Sequence, residues 1–163
     1  MSRGVELHLE KELDQPFGAV LEVLRAGPQD WLPSFAEEGG RVTSELAFEH
    51  AGQRVRRRVE VVLGTVQRFA YGVTVRVQWA AAQHPQLYPR LEGHLRLERR
   101  EPAGCRLRFD ARYVPPAGRV GASVDRALMH RVAEVSVHDF LDRTADLLVR
   151  RANAHRRTSA EQG

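Results

Sequence analysis

Apolar and polar residues alternate with a period of two through most of this chain, and the pattern turns helical only near its two ends. Val5, Leu7, Leu9 and Leu13 alternate with Glu6, His8, Glu10 and Glu12, the period of a half-buried strand. Lys11 interrupts the apolar side, so the strand is expected to end or to lie at an edge there. Asp14 then offers a helix cap, and Pro16 suits a first turn that needs no N–H donor. Phe17, Val20, Leu21 and Leu24 follow at i, i+3, i+4 and i+7, predicting a helix that Gly27-Pro28 ends. A second short helix is predicted from Gln29 to Phe35, broken by Pro33 and closed by Gly39-Gly40.

The middle of the chain reads as strands. Val42, Ser44, Leu46 and Phe48 share one side of a strand, Ala51-Gly52-Gln53 makes a tight connection, and Val55, Val59, Val61 and Leu63 form the next strand. Gly64 to Gly72 reads as a turn with room for a short strand. Val73, Val75, Val77 and Trp79 give the cleanest alternation, followed by a loop from Ala82 to Arg90. Leu91, Gly93, Leu95 and Leu97 make one further strand, and Cys105, Leu107, Phe109, Ala111 and Tyr113 the last. Consecutive strands with short connections predict an antiparallel meander with one wet face. Pro115-Pro116 stops the sheet.

From Gly118 to Arg151 the pattern is helical, with Val124, Leu128, Val132 and Val135 on a stripe continued by Phe140, Leu141, Thr144, Leu147 and Leu148. About 30 helical residues at ~1.5 Å each would span roughly 45 Å, so a bend is expected. A sheet with one apolar face needs a cover, and only this helix is long enough to supply it. The prediction is an α+β fold: a curved antiparallel sheet of six to seven strands wrapped around a long C-terminal helix, with two short helices after the first strand. Residues 1–152 are read as one ligand-binding domain and residues 153–163 as a flexible tail.

Composition narrows the class. The chain has 163 residues, 42% of them hydrophobic and 28% charged, as in ordinary globular domains. Lys11 is the sole lysine, an arginine bias that a GC-rich genome explains, and a net charge of +4 does not single out nucleic acid. Cys105 is the sole cysteine, which excludes an intrachain disulfide and a cysteine-based zinc site and fits a reducing, cytoplasmic setting. The first residues lack the apolar core of a signal peptide, and no stretch approaches the ~18 apolar residues of a membrane span.

Several segments bear a family likeness: Val75-Arg76-Val77-Gln78-Trp79, then Leu87-Tyr88-Pro89-Arg90-Leu91-Glu92-Gly93-His94-Leu95. With them goes Tyr113-Val114-Pro115-Pro116-Ala117-Gly118-Arg119-Val120-Gly121, which leads into Asp125 to Glu134. In these the chain resembles the START/polyketide-cyclase superfamily, whose helix-grip fold also occurs in Bet v 1-like proteins, over roughly residues 5 to 150. The closest likeness is to uncharacterised actinobacterial members. The resemblance implies an internal cavity. Such proteins include lipid carriers, hormone receptors, polyketide aromatases and cyclases, and chaperone activators. They share no catalytic motif, so no catalytic residue is carried over.

On this reading Val42, Leu46, Val59, Val75, Val77, Trp79, Leu95, Leu107, Phe109 and Tyr113 line the cavity from the strands, and Leu128, Val132 and Val135 from the helix. The competing reading makes them plain core. Trp79 and Tyr113 are the best polar handles, because a buried indole N–H or phenol needs a partner. Arg57 falls on the inward side with Val55 and Val59; either a bulge turns it out, or it enters the cavity, where its planar fork suits a carboxylate. Arg54, Arg56 and Arg58 complete a basic cluster that no nucleic-acid motif accompanies. His130, Glu134 and His138 stand at i, i+4 and i+8 without an HExxH motif, and read as a solvated face. His50, His84 and His94 read as surface residues, and Cys105 as a small hydrophobe.

The function expected is binding or transport of a small hydrophobic molecule, with no metal and no cofactor. The alternative is a polyketide cyclase, aromatase or dehydratase using the same cavity, with Tyr113 and Arg57 as its only polar candidates. A third class is an interaction protein with a collapsed cavity. A homodimer stays open.

Overall fold

The computed structural model describes residues 4–85, 88–114 and 126–163, without the side chains of His50 and of residues 126–129. Its elements run β1 (Val5–Leu13), α1 (Phe17–Ala26), α2 (Pro28–Trp31), β2 (Ala36–Glu38), β3 (Arg41–His50) and β4 (Gln53–Leu63), then β5 (Gln67–Phe69), β6 (Gly72–Ala81), β7 (Arg90–Arg99), β8 (Cys105–Val114) and α3 (Arg126–Glu161). The strands form one eight-stranded antiparallel sheet of order β1-β8-β7-β6-β4-β3-β2, with β5 beside β6. The sheet curves around α3.

The structure differs from the sequence expectation in four respects. The sheet has eight strands rather than six or seven. The added strand is β2, whose three exposed residues carry no alternation to read. The second helix is a single turn ending at Trp31, because Pro33 follows so closely. Pro16, not Asp14, stands at the N-cap of α1, with no side-chain cap. Finally, α3 continues to Glu161 through the segment read as a tail, although Ala152 is its last buried residue.

Strand register on the wet face is set by charge. Glu6, His8, Glu10 and Glu12 of β1 stand opposite Arg112, Asp110, Arg108 and Arg106 of β8. A slip of two residues would set Glu6 against Asp110, so the opposite-charge pairs penalise it. His8 Nδ1 lies 2.7 Å from Asp110 Oδ1, and Arg106 lies 3.3 Å from Glu12. The β3–β4 hairpin turns through Ala51 and Gly52, both at positive φ, as a two-residue turn matching the strand twist requires.

We call the end of the sheet bearing that turn the upper end and the end closed by α1 and α2 the lower end. The lower end is packed: Phe17, Val20, Val23, Leu24 and Trp31 join Leu148 and Ala152 in one core. At the upper end β3 and β4 outrun their neighbours, since pairing of β4 with β6 stops at Val59–Ala81.

The helix is clamped to the sheet at both of its curled edges. Beyond its short pairing with β2, strand β3 has a free edge, and α3 satisfies it. Asp139 Oδ2 accepts the Ala47 N–H at 2.9 Å, and Arg143 donates to the Glu45 carbonyl at 2.7 Å. Asp139 and Arg143, themselves 3.1 Å apart, thus stand in for a missing strand. From the other edge Lys11 of β1 reaches Asp142 at 2.8 Å, so the residue that breaks the apolar alternation of β1 is used as a tether.

Removing Asp139 leaves the buried Ala47 N–H without its acceptor and takes the carboxylate from Arg143, so Asp139→Ala should cost about 2–3 kcal/mol. Asp142→Ala, which breaks a half-exposed pair, should cost under about 1 kcal/mol. Urea denaturation of the two variants measures the difference.

Candidate ligand site

The inner face of the sheet is built in rows. Val5, Tyr113, Leu91, Trp79, Val61 and Val42 share one row across six strands. Two rows below it lie Leu9, Phe109, Leu95 and Val75. Between them sits Gly93, and a Cβ there would come 3.1 Å from two atoms of the Phe109 ring. Glycine at that position lets the ring lie flat on the sheet.

In the middle of the sheet the expected gap is occupied. The Trp79 and Phe109 rings stack with centroids 6.1 Å apart, and Phe140 of α3 meets them at 5.1 and 4.9 Å. These rings form an aromatic floor joining sheet to helix. Leu46, Val59, Val75, Val77, Leu95 and Leu107, all expected at a cavity wall, are buried here as well.

The helix is rotated relative to the expected stripe. Ala133, Ser136, Val137, Phe140, Leu141, Thr144, Ala145 and Leu148 face inward. Val132 and Val135 sit half-buried on its flanks. Small residues bring the helix close to the sheet, whereas reading by hydrophobicity favoured the bulkier valines. Val42 is also half-buried, and the side chain of Leu128 lies outside the described residues.

Just above the floor lies a buried polar group. Tyr113 Oη is 2.5 Å from Ser136 Oγ, and Ser136 Oγ is within reach of the Val132 and Ala133 carbonyls at 3.0 and 3.2 Å. A serine hydroxyl has one proton, and the helix carbonyls take it. Tyr113 is therefore the donor to Ser136 and keeps its own acceptor lone pairs. The Trp79 indole N–H faces this phenol closely enough to favour a phenolate, but the geometry falls short of a hydrogen bond, and among the described residues its Nε1 has no acceptor. Thr144 Oγ1, farther down the helix, is likewise buried without a partner among them. Ser136 was not singled out from sequence. Its signal was a small polar residue flanked by inward helix positions.

Burial pushes the Tyr113 pKa up to about 12, with Ser136 and Trp79 pulling the other way. The phenol is a donor and not a base at neutral pH. Cys105 lies at the lower end, its thiol donating to the Gln15 carbonyl at 3.5 Å and pushed up by burial to about 11, so it is no nucleophile.

Above the floor Leu46, Phe48 and Val59 are buried, but part of the apolar surface is only half covered. Val55 of β4, Tyr88, and Val132 and Val135 of α3 are half-buried there, and Tyr88 packs on Phe48 at 6.2 Å. Arg57 pairs with Leu46 in an unbroken ladder, so no bulge turns it outward. It belongs to the concave face, yet it is exposed. Arg54 reaches Asp139 at 3.4 Å. His130 pairs with Glu134 at 3.2 Å, and His138 is exposed. Three depressions of about 530, 500 and 460 Å³ lie elsewhere, beside the start of α1 and on the outer face of the sheet. No helix among the described residues is long and apolar enough to cross a membrane.

The Tyr113 environment has a pH signature. The unfolded phenol ionises near pH 10 and the folded one at about 12. Its contribution to stability is therefore complete below about pH 10 and is lost at about 1.4 kcal/mol per pH unit from there to about 12. Stability measured by urea denaturation at rising pH should fall less steeply across that window in Tyr113→Phe than in the parent.

No protein-family model matches the chain, and no curated protein matches its sequence. Solved structures do match. A conserved protein from Geobacillus kaustophilus superposes with a TM-score of 0.55 at 12% identity, covering 90% of this chain and 96% of its own. The Zhui aromatase/cyclase from a Streptomyces species gives 0.53 at 16% identity, covering 92% and 94%. Norcoclaurine synthase from Thalictrum flavum gives 0.50 at 10% identity, covering 90% and 85%. Likeness at this level of identity is a likeness of fold: a curved antiparallel sheet gripping a long C-terminal helix.

Proposed function

We propose that the protein binds a small hydrophobic molecule on the upper part of its concave face, between β4, the Tyr88 segment and the first turns of α3. The observation that carries this is the Trp79 indole N–H, buried beside the Tyr113–Ser136 pair with no acceptor among the described residues. An orphaned donor in an apolar interior is costly, and a ligand oxygen would satisfy it. The half-covered Val55, Tyr88, Val132 and Val135 would supply the apolar walls, as in most small-molecule sites. Covering about 300 Å² of apolar ligand surface contributes about 7 kcal/mol before association costs.

Binding is favoured over turnover. The aromatase/cyclase and the synthase that share the fold are enzymes by name, but a cyclase needs a group that exchanges protons near neutral pH. Tyr113, held near 12, serves instead as a fixed donor.

The neutral fluorophore 1-aminoanthracene should bind saturably with micromolar affinity, and native mass spectrometry of the purified protein should reveal a co-purifying apolar molecule. Val135→Glu, which sets a charge on the half-covered wall without disturbing the buried core, should weaken probe binding at least about tenfold. Absence of probe binding by the folded parent would end this reading.

A further inference from the structure

We propose that the ligand is an acid, its anionic group received by Arg57 at the upper end and its apolar body running down towards Trp79. This deepens the reading above and rests on it.

The argument starts from strand parity. From Val55 on, the inward positions of β4 are Val55, Arg57, Val59, Val61 and Leu63, and Arg57 alone among these is polar. The ladder from Val42–Val61 to His50–Gln53 is unbroken, so Arg57 shares its face with Leu46 and Val59, both fully buried. An arginine on such a face normally has an acid opposite it. Here its cross-strand partner is Leu46 and its diagonal neighbours are Ser44 and Phe48, none of them acidic. The carboxylates that α3 brings to this region are already engaged: Asp139 by Ala47, Arg54 and Arg143, and Glu134 by His130. Among the described residues Arg57 has no ion pair. Its guanidinium, exposed to solvent, is thus a bidentate donor at the rim of an apolar surface, with no acceptor among the described residues.

Position along the strand then sets the ligand's length. Val61, the cross-strand partner of Trp79, lies four residues below Arg57, which at ~3.3 Å per residue is about 13 Å. An acid whose carboxylate sits at Arg57 and whose apolar body reaches Trp79 is therefore a medium-chain acyl group or a fused-ring acid. A compact molecule cannot reach both.

The test is displacement of 1-aminoanthracene by dodecanoate and by dodecanol at low ionic strength. Dodecanoate should displace the probe at about tenfold lower concentration than dodecanol, an advantage that shrinks as salt is added. Arg57→Gln should erase the preference while leaving dodecanol unchanged. Arg56→Gln, an exposed arginine on the opposite face, should leave the preference intact. Equal displacement by acid and alcohol in the parent, or a preference that survives Arg57→Gln, overturns the acid proposal alone. A preference lost equally in Arg56→Gln also overturns it, by assigning the effect to net charge. A parent that fails to bind the probe overturns the hydrophobic-ligand reading and this proposal with it.

Discussion

The fold depends on how α3 is held at the open edge of β3. A sheet apolar on one face needs a helix, but apolar packing alone would leave the helix free to slide and rotate. Asp139 and Arg143 remove that freedom by taking the backbone N–H of Ala47 and the carbonyl of Glu45 as a neighbouring strand would. Two directional bonds to backbone fix the helix along β3, and Lys11–Asp142 ties its other side to β1. Everything inside the grip inherits its geometry from this placement, including which helix residues meet Trp79 and Tyr113.

The interior is consequently divided. Below the row of Trp79, the aromatic floor and the lower helices leave the inner side chains packed against one another. Above it the sheet thins, because β6 ends while β3 and β4 continue, and the helix presents valines at its flanks. Polar groups gather at this boundary. Ser136 donates to its own helix, Tyr113 donates to Ser136, and the Trp79 N–H has no acceptor among the described residues.

Much of the architecture is legible in the chain. Strict alternation from Val73 to Trp79 and from Cys105 to Tyr113 marks two strands whose inner residues are buried as the pattern requires. The same parity placed Arg57 on the inward side with a bulge left open; the ladder there is unbroken, and the side chain is exposed. The helix phase was not. Val132 and Val135 outrank Ala133 and Ser136 in hydrophobicity, yet close approach of helix and sheet selects the smaller pair. The strand β2 was hidden because an exposed, three-residue edge strand carries no pattern of its own.

Sequence by itself determined the periodicities: which residues share a strand face, where the chain turns helical, and that one long helix must cover one apolar sheet. These are consequences of backbone geometry repeating every two or 3.6 residues, and they need only near neighbours. Tertiary structure alone decided that Asp139 would find Ala47 across 92 residues and Tyr113 would find Ser136 across 23. It also decided that three aromatic rings would fill the middle of the grip. Those pairings depend on the curl of the sheet and the rotation of the helix, which are properties of the whole packed core and of no single stretch within it.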